Sequence, residues 1–456
     1  MEEYAGYYAT MLAPPAQKTC RLHFFSEAFT IDELCAVIGE LAAGCREEVQ
    51  RPLQEQYLGY VVIRPLPSAP IGRTVLRPYN QDSRRCFAPA AMTNRVHLAG
   101  LSLTVEGLPF QQQDQGVGAC ATTALWSALA KVMRNDGQRH PTPLAITRAA
   151  IESGVQSRAF PAAAGLDLEQ MASAIHRTGY QPHVFGVSNQ FESFVLALGC
   201  YLRSGIPVVA RVRGEQGGHA MTLAGFRSSD TLGPEEDIAI PSGKPSYALR
   251  ARGIVRWYVH DDRLGPYARL GFRESPGAAL HELCLQPRED GFDDFKQPMS
   301  FIDALVPLYP KLRLTAEELI DFALDMLPLL THLVRDSAPK HVDYQEGHLY
   351  VEPRFALGGD YLAELHAKPI DSRRKVAFMT TALLSRYVGI LSWFVGEHWI
   401  CDVVYDTTDL RRDLLTGPPI LGIIPRHEHL QHALEQFRQE ASLGLRPVLG
   451  PHPVIA

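Results

Sequence analysis

No CxxC pair, HExxH or GxxxxGK[ST] occurs anywhere in this chain of 456 residues. The first absence removes zinc ribbons and thioredoxin-like redox pairs, the second the zincin metalloproteases, and the third phosphate-loop nucleotide binding. Its eight cysteines, Cys20, Cys35, Cys45, Cys86, Cys120, Cys200, Cys284 and Cys401, are too scattered for a disulfide framework. Reduced thiols in a cytoplasmic protein are the expectation. Long apolar runs are also missing. The best candidate, Tyr387 to Val404, is broken by Glu397, His398 and Asp402, which a bilayer core would penalise heavily. The opening Met1-Glu2-Glu3 is acidic where a secretory signal carries positive charge, which argues against export by that route. Nor is there a basic excess: 44 Lys and Arg face 50 Asp and Glu, a net charge of −6, so no nucleic-acid signal stands out. The 33 Pro and 36 Gly follow no period, which excludes collagen and simple repeats.

What is present describes a folded protein. Apolar residues make up 46% and charged residues 21%, the balance of a chain with sizeable cores, and the length predicts two to four domains. We divide it into 1–105, 106–290 and 291–456. In the first region, after a loose leader, Thr30 and Glu33 fit a capping box for a helix with Leu34, Val37, Ile38 and Leu41 on its apolar stripe, ending near Gly44. Tyr57 to Ile63 reads as a strand stopped by Pro65 and Pro67, and 71–77 and 96–105 suggest more strands. A small α+β region is expected.

The central region opens with a turn-rich stretch to Gly118, and a strong helical pattern then begins at or beside Cys120, with Ala121, Leu125, Leu129 and Val132 at helical spacing. Asp167 and Gln170 start a helix over 168–178, and another runs over 190–203. Strands follow from Ile206, Gly217 and Ile254. Helices first and strands after is the α+β order, not the alternation of a doubly wound sheet. In the third region Thr315 and Glu318 cap a helix to about Leu330, Tyr350 and Val351 hint at a strand, and Arg374 to Arg386 reads as a helix. Tyr387 to Phe394 and Trp399 to Tyr405 read as two antiparallel strands, and the tail after Leu445 as loose. Gly358-Gly359-Asp360 reads as a turn, and the acidic run Asp402 to Asp409, although able to bind a cation, as a solvated loop.

Three residues carry candidate chemistry. A thiol in the first turn of a helix is stabilised as thiolate by unpaired amides and the positive dipole end; Cys120 has that place, after Gly116 and Gly118. By itself it is equally readable as a buried cysteine of a helix cap. His219 follows Gly217-Gly218 at a strand start, where it can point into a cleft, although a surface histidine is the commoner reading. Asp261 and Asp262 end the strand 254–260; either could fix the tautomer of an imidazole, and periodicity does not choose between them. His176 and His183 flank a helix end and suggest nothing further.

Cys at a helix start, His at a strand start and Asp at the next strand's end form a Cys-His-Asp arrangement in chain order. With Asp114-Gln-Gly-Val-Gly-Ala-Cys120, Gly165 to Gly179, Leu202 to Ala210, Gly218-His-Ala-Met-Thr-Leu-Ala-Gly225 and Trp257 to Tyr267, it resembles the papain-like cysteine peptidase superfamily. The nearer resemblance is to its bacterial double-glycine, bacteriocin-processing branch, which the 99-residue gap from Cys120 to His219 suits. The resemblance covers about 170 of the 456 residues. It implies an α+β fold with a helix-borne Cys and an antiparallel sheet carrying His and Asp, flanked by further α+β regions. It also implies Cys120 as nucleophile, His219 as base, Asp261 as its orienting partner and Gln115 as oxyanion donor. One departure stands: the family's Gln sits six residues before the Cys, where this chain has Asp114, with Gln113 and Gln115 on either side. The implied activity is hydrolysis of a peptide or amide bond through a thioacyl intermediate, without cofactor or metal. The partner is a peptide or protein substrate, and the flanking regions offer room for a further protein partner; no membrane is implied. The alternatives are a catalytically inactive papain-like scaffold or binding protein, and an acyl transferase of the transglutaminase kind.

Overall fold

The computed structural model describes residues 18–44, 47–66, 69–79, 84–113, 120–152, 165–187, 191–215, 217–228, 248–249, 253–272, 283–286, 297–337, 349–395, 398–408 and 420–426. The fold is mixed α+β. The chain divides into two compact units. The first comprises Met1–Val187, Gly205–Arg227 and Arg256–Leu308; the second comprises Ser188–Ser204, Ser228–Val255 and Tyr309–Ala456. The helix Phe191–Arg203 thus belongs to the second unit although its sequence lies within 106–290.

The first unit begins with β1 (Cys20–Phe25), α1 (Ile31–Ala42), α2 (Arg51–Gln56), β2 (Tyr57–Ile63) and β3 (Ile71–Leu76). The Thr30–Glu33 capping box forms in full, satisfying two orphan amides at the start of α1. Strands β1, β2 and β3 make an antiparallel sheet. Two-residue β4 (Arg85–Cys86) precedes the hairpin β5 (Thr93–Leu98) and β6 (Leu101–Glu106). Leu53, Tyr57, Tyr60, Val75, Val96, Leu101, Leu103 and Val105 share one core, so the apolar side of this region packs on itself. Strand β1 falls where the loose leader was expected to end; residues 1–17 of that leader lie outside the described residues.

Three helices follow: α3 (Cys120–Asn135), α4 (Pro143–Ile151) and α5 (Leu168–Arg177). Helix α3 is buried almost all round, which explains its run of Ala, Leu and Val. Asp167 and Gln170 form the expected capping box on α5. Helix α4, capped by Thr142, is an addition to the sequence reading: Pro at the first turn and a short apolar stripe gave too little signal. The strands of this unit are β7 (Gln181–Gly186), β8 (Val208–Gly214), β9 (Gly217–Ser228), β11 (Ile254–Asp261), β12 (Gly265–Phe272), β13 (Leu283–Gln286) and β14 (Gln297–Leu308). They pair in the order β11-β12-β13-β14-β8-β9-β4, with β7 also on β14. A further pairing of β9 with β11 returns the path to its start and closes six strands into a ring. His219 lies near the start of β9 and Asp261 ends β11, so the two strands that close the ring carry both residues.

The second unit holds α6 (Phe191–Arg203), the short β10 (Ala248–Leu249), α7 (Ala316–Ser337), β15 (Leu349–Leu357), α8 (Gly358–Ala367), α9 (Ser372–Thr381), β16 (Tyr387–Val395), β17 (His398–Asp406) and β18 (Ile420–Pro425). Its sheet runs β10-β15-β16-β17-β18, antiparallel except where β10 joins β15. The expected hairpin of β16 and β17 is present. Gly358-Gly359-Asp360 corrects to the first turn of α8, not a free turn, and α9 ends at Thr381 rather than Arg386. Asp402 corrects more sharply: it lies on β17, fully buried.

Candidate functional site

Cys120 opens α3, and its side chain is half-buried. Thr123 Oγ1 donates to the Cys120 carbonyl at 2.9 Å, holding the first turn. The helix is fixed along its length. Ser127 Oγ donates to the Pro109 carbonyl at 2.7 Å, and Leu125, Leu129 and Val132 are fully buried. Thr222 Oγ1, on β9, donates to the Ala124 carbonyl at 2.8 Å. That bond ties the strand of His219 to the helix of Cys120 within four residues of each, so the two side chains are held by rigid elements and not by loops.

His219 pairs across from Val212 of β8. Gly217 before it has a φ of +105°, a backbone state that favours glycine. A Cβ built on Gly218 meets nothing within 4 Å among the described residues. The imidazole Nε2–H donates to Asp261 Oδ2 at 2.7 Å. The Cys120 side chain is near enough to the ring to act on its protonation, raising the pKa of His219 as Asp261 does.

Asp261 is held in its turn. Its Oδ1 accepts the amides of Arg263 and Leu264, each at 2.9 Å, in the turn that joins β11 to β12. Gly265, opposite Asp261 in the ladder, takes a φ of +105° to close that turn. One carboxylate oxygen is thus spent on backbone amides and the other on the imidazole. Asp262 is also buried, with Oδ1 3.3 Å from His219 Nε2. Among the described residues neither of its carboxylate oxygens has a hydrogen-bond donor from another residue.

The electrostatics follow from this packing. Burial disfavours a charged imidazole at His219. The Asp261 and Cys120 hydrogen bonds and the charges of Asp261 and Asp262 outweigh it and raise His219 to about 9. Burial also opposes charge on Asp261, yet the His219 contact and the two turn amides hold its carboxyl below the usual range. Asp262 lacks such donors, and burial, with the Asp261 charge beside it, pushes it up to about 6. The two adjacent aspartates are therefore chemically distinct, and the choice left open by the sequence falls to Asp261 as the hydrogen-bond partner of His219.

His219, Asp261 and Asp262 also offer one nitrogen and two carboxylate oxygens within 4.8 Å of one another, a set able to hold a metal ion. Spacing motifs could not reveal it, because its members lie 42 residues apart in the chain. Gln115 falls outside the described residues; Gln113 is described and half-buried. Among the described residues no helix is long and apolar enough to cross a membrane. No protein-family model matches the chain, and no curated protein matches it.

Proposed function

We propose that this protein is a cysteine-dependent hydrolase of peptide or amide bonds. The observation that carries the reading is the His219–Asp261 hydrogen bond across two paired strands, with Cys120 at a helix start as the group that also raises the pKa of His219. In it, His219 Nδ1 takes the Cys120 proton, and the thiolate attacks the substrate carbonyl carbon. The C–N bond breaks as the imidazolium returns the proton to the leaving amine. Water then attacks the thioester, His219 takes its proton, and the carboxylic acid leaves as Cys120 regains a proton. Asp261 keeps the ring in the tautomer and orientation that both halves need. The Cys120 amide, which a helix start leaves without an intrahelical acceptor, supports the developing oxyanion, together with the Gln115 side chain that the papain-like resemblance supplies.

A peptide-aldehyde or vinyl-sulfone probe, applied with a broad peptide and amide library, tests this. Wild type is expected to be labelled and to turn over. Cys120→Ala abolishes both, and His219→Ala lowers turnover by about 10²–10⁴. Gln115→Ala leaves the thiol alkylatable but lowers turnover by about 10²–10³. An unreactive Cys120 and no turnover across the library would overturn the hydrolase in favour of a binding scaffold. Turnover only with an amine acceptor would move the reading to an acyl transferase.

A further inference from the structure

We propose that the corner formed by His219, Asp261 and Asp262 is an inhibitory binding site for a Zn²⁺-like divalent cation, which enters behind the imidazole, on the side away from Cys120. The inhibitory role rests on the hydrolase reading; the binding site does not.

Two independent observations lead here. The first is the convergence of one imidazole nitrogen and two carboxylate oxygens within 4.8 Å. The second is Asp262 itself, 6% exposed, with no donor from another residue to either carboxylate oxygen. Folding rarely leaves a buried carboxylate unanswered, because the desolvation cost is not recovered. Asp261 shows how easily this turn could have answered it, since it takes two amides and the imidazole. Asp262 is instead directed at the same ring nitrogen, 3.3 Å away. Two ligands in a tetrahedral zinc shell, with bonds of about 2.1 Å, stand roughly 3.4 Å apart. The Asp262–His219 spacing already meets that geometry, while the Asp261–His219 contact of 2.7 Å opens by a few tenths of an ångström as the cation replaces the proton between them. His219 remains 10% exposed, which leaves a side for a water as fourth ligand.

The consequence for chemistry is specific. A cation on Nε2 fixes the remaining ring proton on Nδ1, facing the sulfur. The thiolate keeps its positive neighbour, so it stays nucleophilic. The ring, however, no longer cycles a proton between sulfur, leaving amine and water, so turnover stops. A cation bound to the sulfur would do the reverse and block alkylation.

Titration of the full-length, chelator-treated protein with Zn²⁺ by calorimetry, and with Co²⁺ by visible absorption, tests the site directly. We expect one equivalent bound, binding weakened about tenfold or more by Asp262→Asn, and binding unchanged within twofold in Cys120→Ala. Melting curves of both variants confirm that they fold. In the wild type, Zn²⁺ is expected to suppress turnover while iodoacetamide still labels Cys120. Absence of binding to a folded wild type overturns the site, as does affinity that survives Asp262→Asn. Loss of binding in Cys120→Ala, with a sulfur-to-cobalt charge-transfer band in the wild type, also overturns it. A wild type that binds the cation but hydrolyses nothing upholds the site and rejects the hydrolase; one that hydrolyses but binds no cation does the opposite.

Discussion

Each unit buries a carboxylate at its sheet, one on a strand and one in the turn that follows a strand, and the two are treated in opposite ways. In the second unit Asp402, on β17, receives the Trp399 indole N–H at 2.7 Å, the Tyr361 hydroxyl at 3.0 Å and the Lys368 ammonium at 3.0 Å. The ammonium also lies 4.3 Å from the Trp399 ring centroid, a cation–π contact that completes the cage. In the first unit Asp262 is nearly as buried and, among the described residues, accepts no hydrogen bond from another residue; the His219 ring nitrogen stands 3.3 Å away. A saturated carboxylate fastens strands and helices together. An unsaturated one beside a polarised imidazole fits the proposed site and not a structural tie. Burial alone therefore does not separate structural from functional charge; the inventory of donors does.

The widest separation is expected when the two clusters are cut and both activity and stability are read. Asp261→Asn removes the charge and leaves one acceptor oxygen for the two turn amides and the imidazole; with that oxygen kept by the turn, His219 loses its anionic partner, so turnover falls by about 10²–10⁴ with little change in melting. Asp402→Ala leaves the Lys368 charge, the Tyr361 hydroxyl and the Trp399 indole without their shared acceptor. It is expected to cost about 3–5 kcal/mol, while alkylation of Cys120 proceeds at the wild-type rate. Chemical denaturation and iodoacetamide kinetics on both variants check this. A stable Asp402→Ala protein would break the comparison at its structural end.

How much of this was legible in the sequence depended on the distance over which each feature is encoded. The three capping boxes at Thr30, Asp167 and Thr315 are local, and each is present as read. Cys120 was placed at a helix start by the glycines before it and the periodicity after it. The role of Asp402 was not readable. Its donors come from residues three, 34 and 41 positions away, so an acidic run that looked solvated is partly core. The same limit left Asp261 and Asp262 tied, because only the turn amides at 263 and 264 distinguish them. It also hid the ring closure between β9 and β11, which no local pattern encodes.

Acid is expected to find the first unit before the second. His140 Nε2–H donates to the Trp126 carbonyl at 2.8 Å, and burial lowers the imidazole to about 4. His260, packed between Phe110 and Tyr267, is lowered by burial to about 3. Both are neutral in the fold, whereas in the unfolded chain they bind protons below about 6.5. Their contribution is therefore whole above pH 6.5 and is lost as pH falls through the interval to 4 and 3, at about 3 kcal/mol for His140 alone. Hydrogen exchange read at 120–135 and at 387–406 between pH 7 and pH 4 should show the first segment deprotected earlier. His140→Gln, which keeps a donor for Trp126, should flatten that limb. Equal deprotection of both segments would remove the asymmetry.

The smallest effect has the most informative sign. Asp262→Asn preserves the size of the side chain and removes a buried charge to which no other described residue donates a hydrogen bond. Its new amide can donate toward the Asp261 carboxylate, whose ligand oxygen lies within 4.8 Å of that of Asp262. With a chelator present, so that no cation contributes, the variant is expected to gain on the order of 1 kcal/mol at neutral pH, a rise of about 2–4 °C in melting. The equivalent change at Asp402 must lose stability, because there the charge is what three donors are arranged to meet. Opposite signs from one substitution, made at two carboxylates of similar burial, would show that the first unit carries an unrelieved charge at some cost to its own stability. Such a cost is tolerated where binding or catalysis needs the charge. A destabilising Asp262→Asn would instead place Asp262 among the structural acids, and the case for a cation at His219 would lose its second leg.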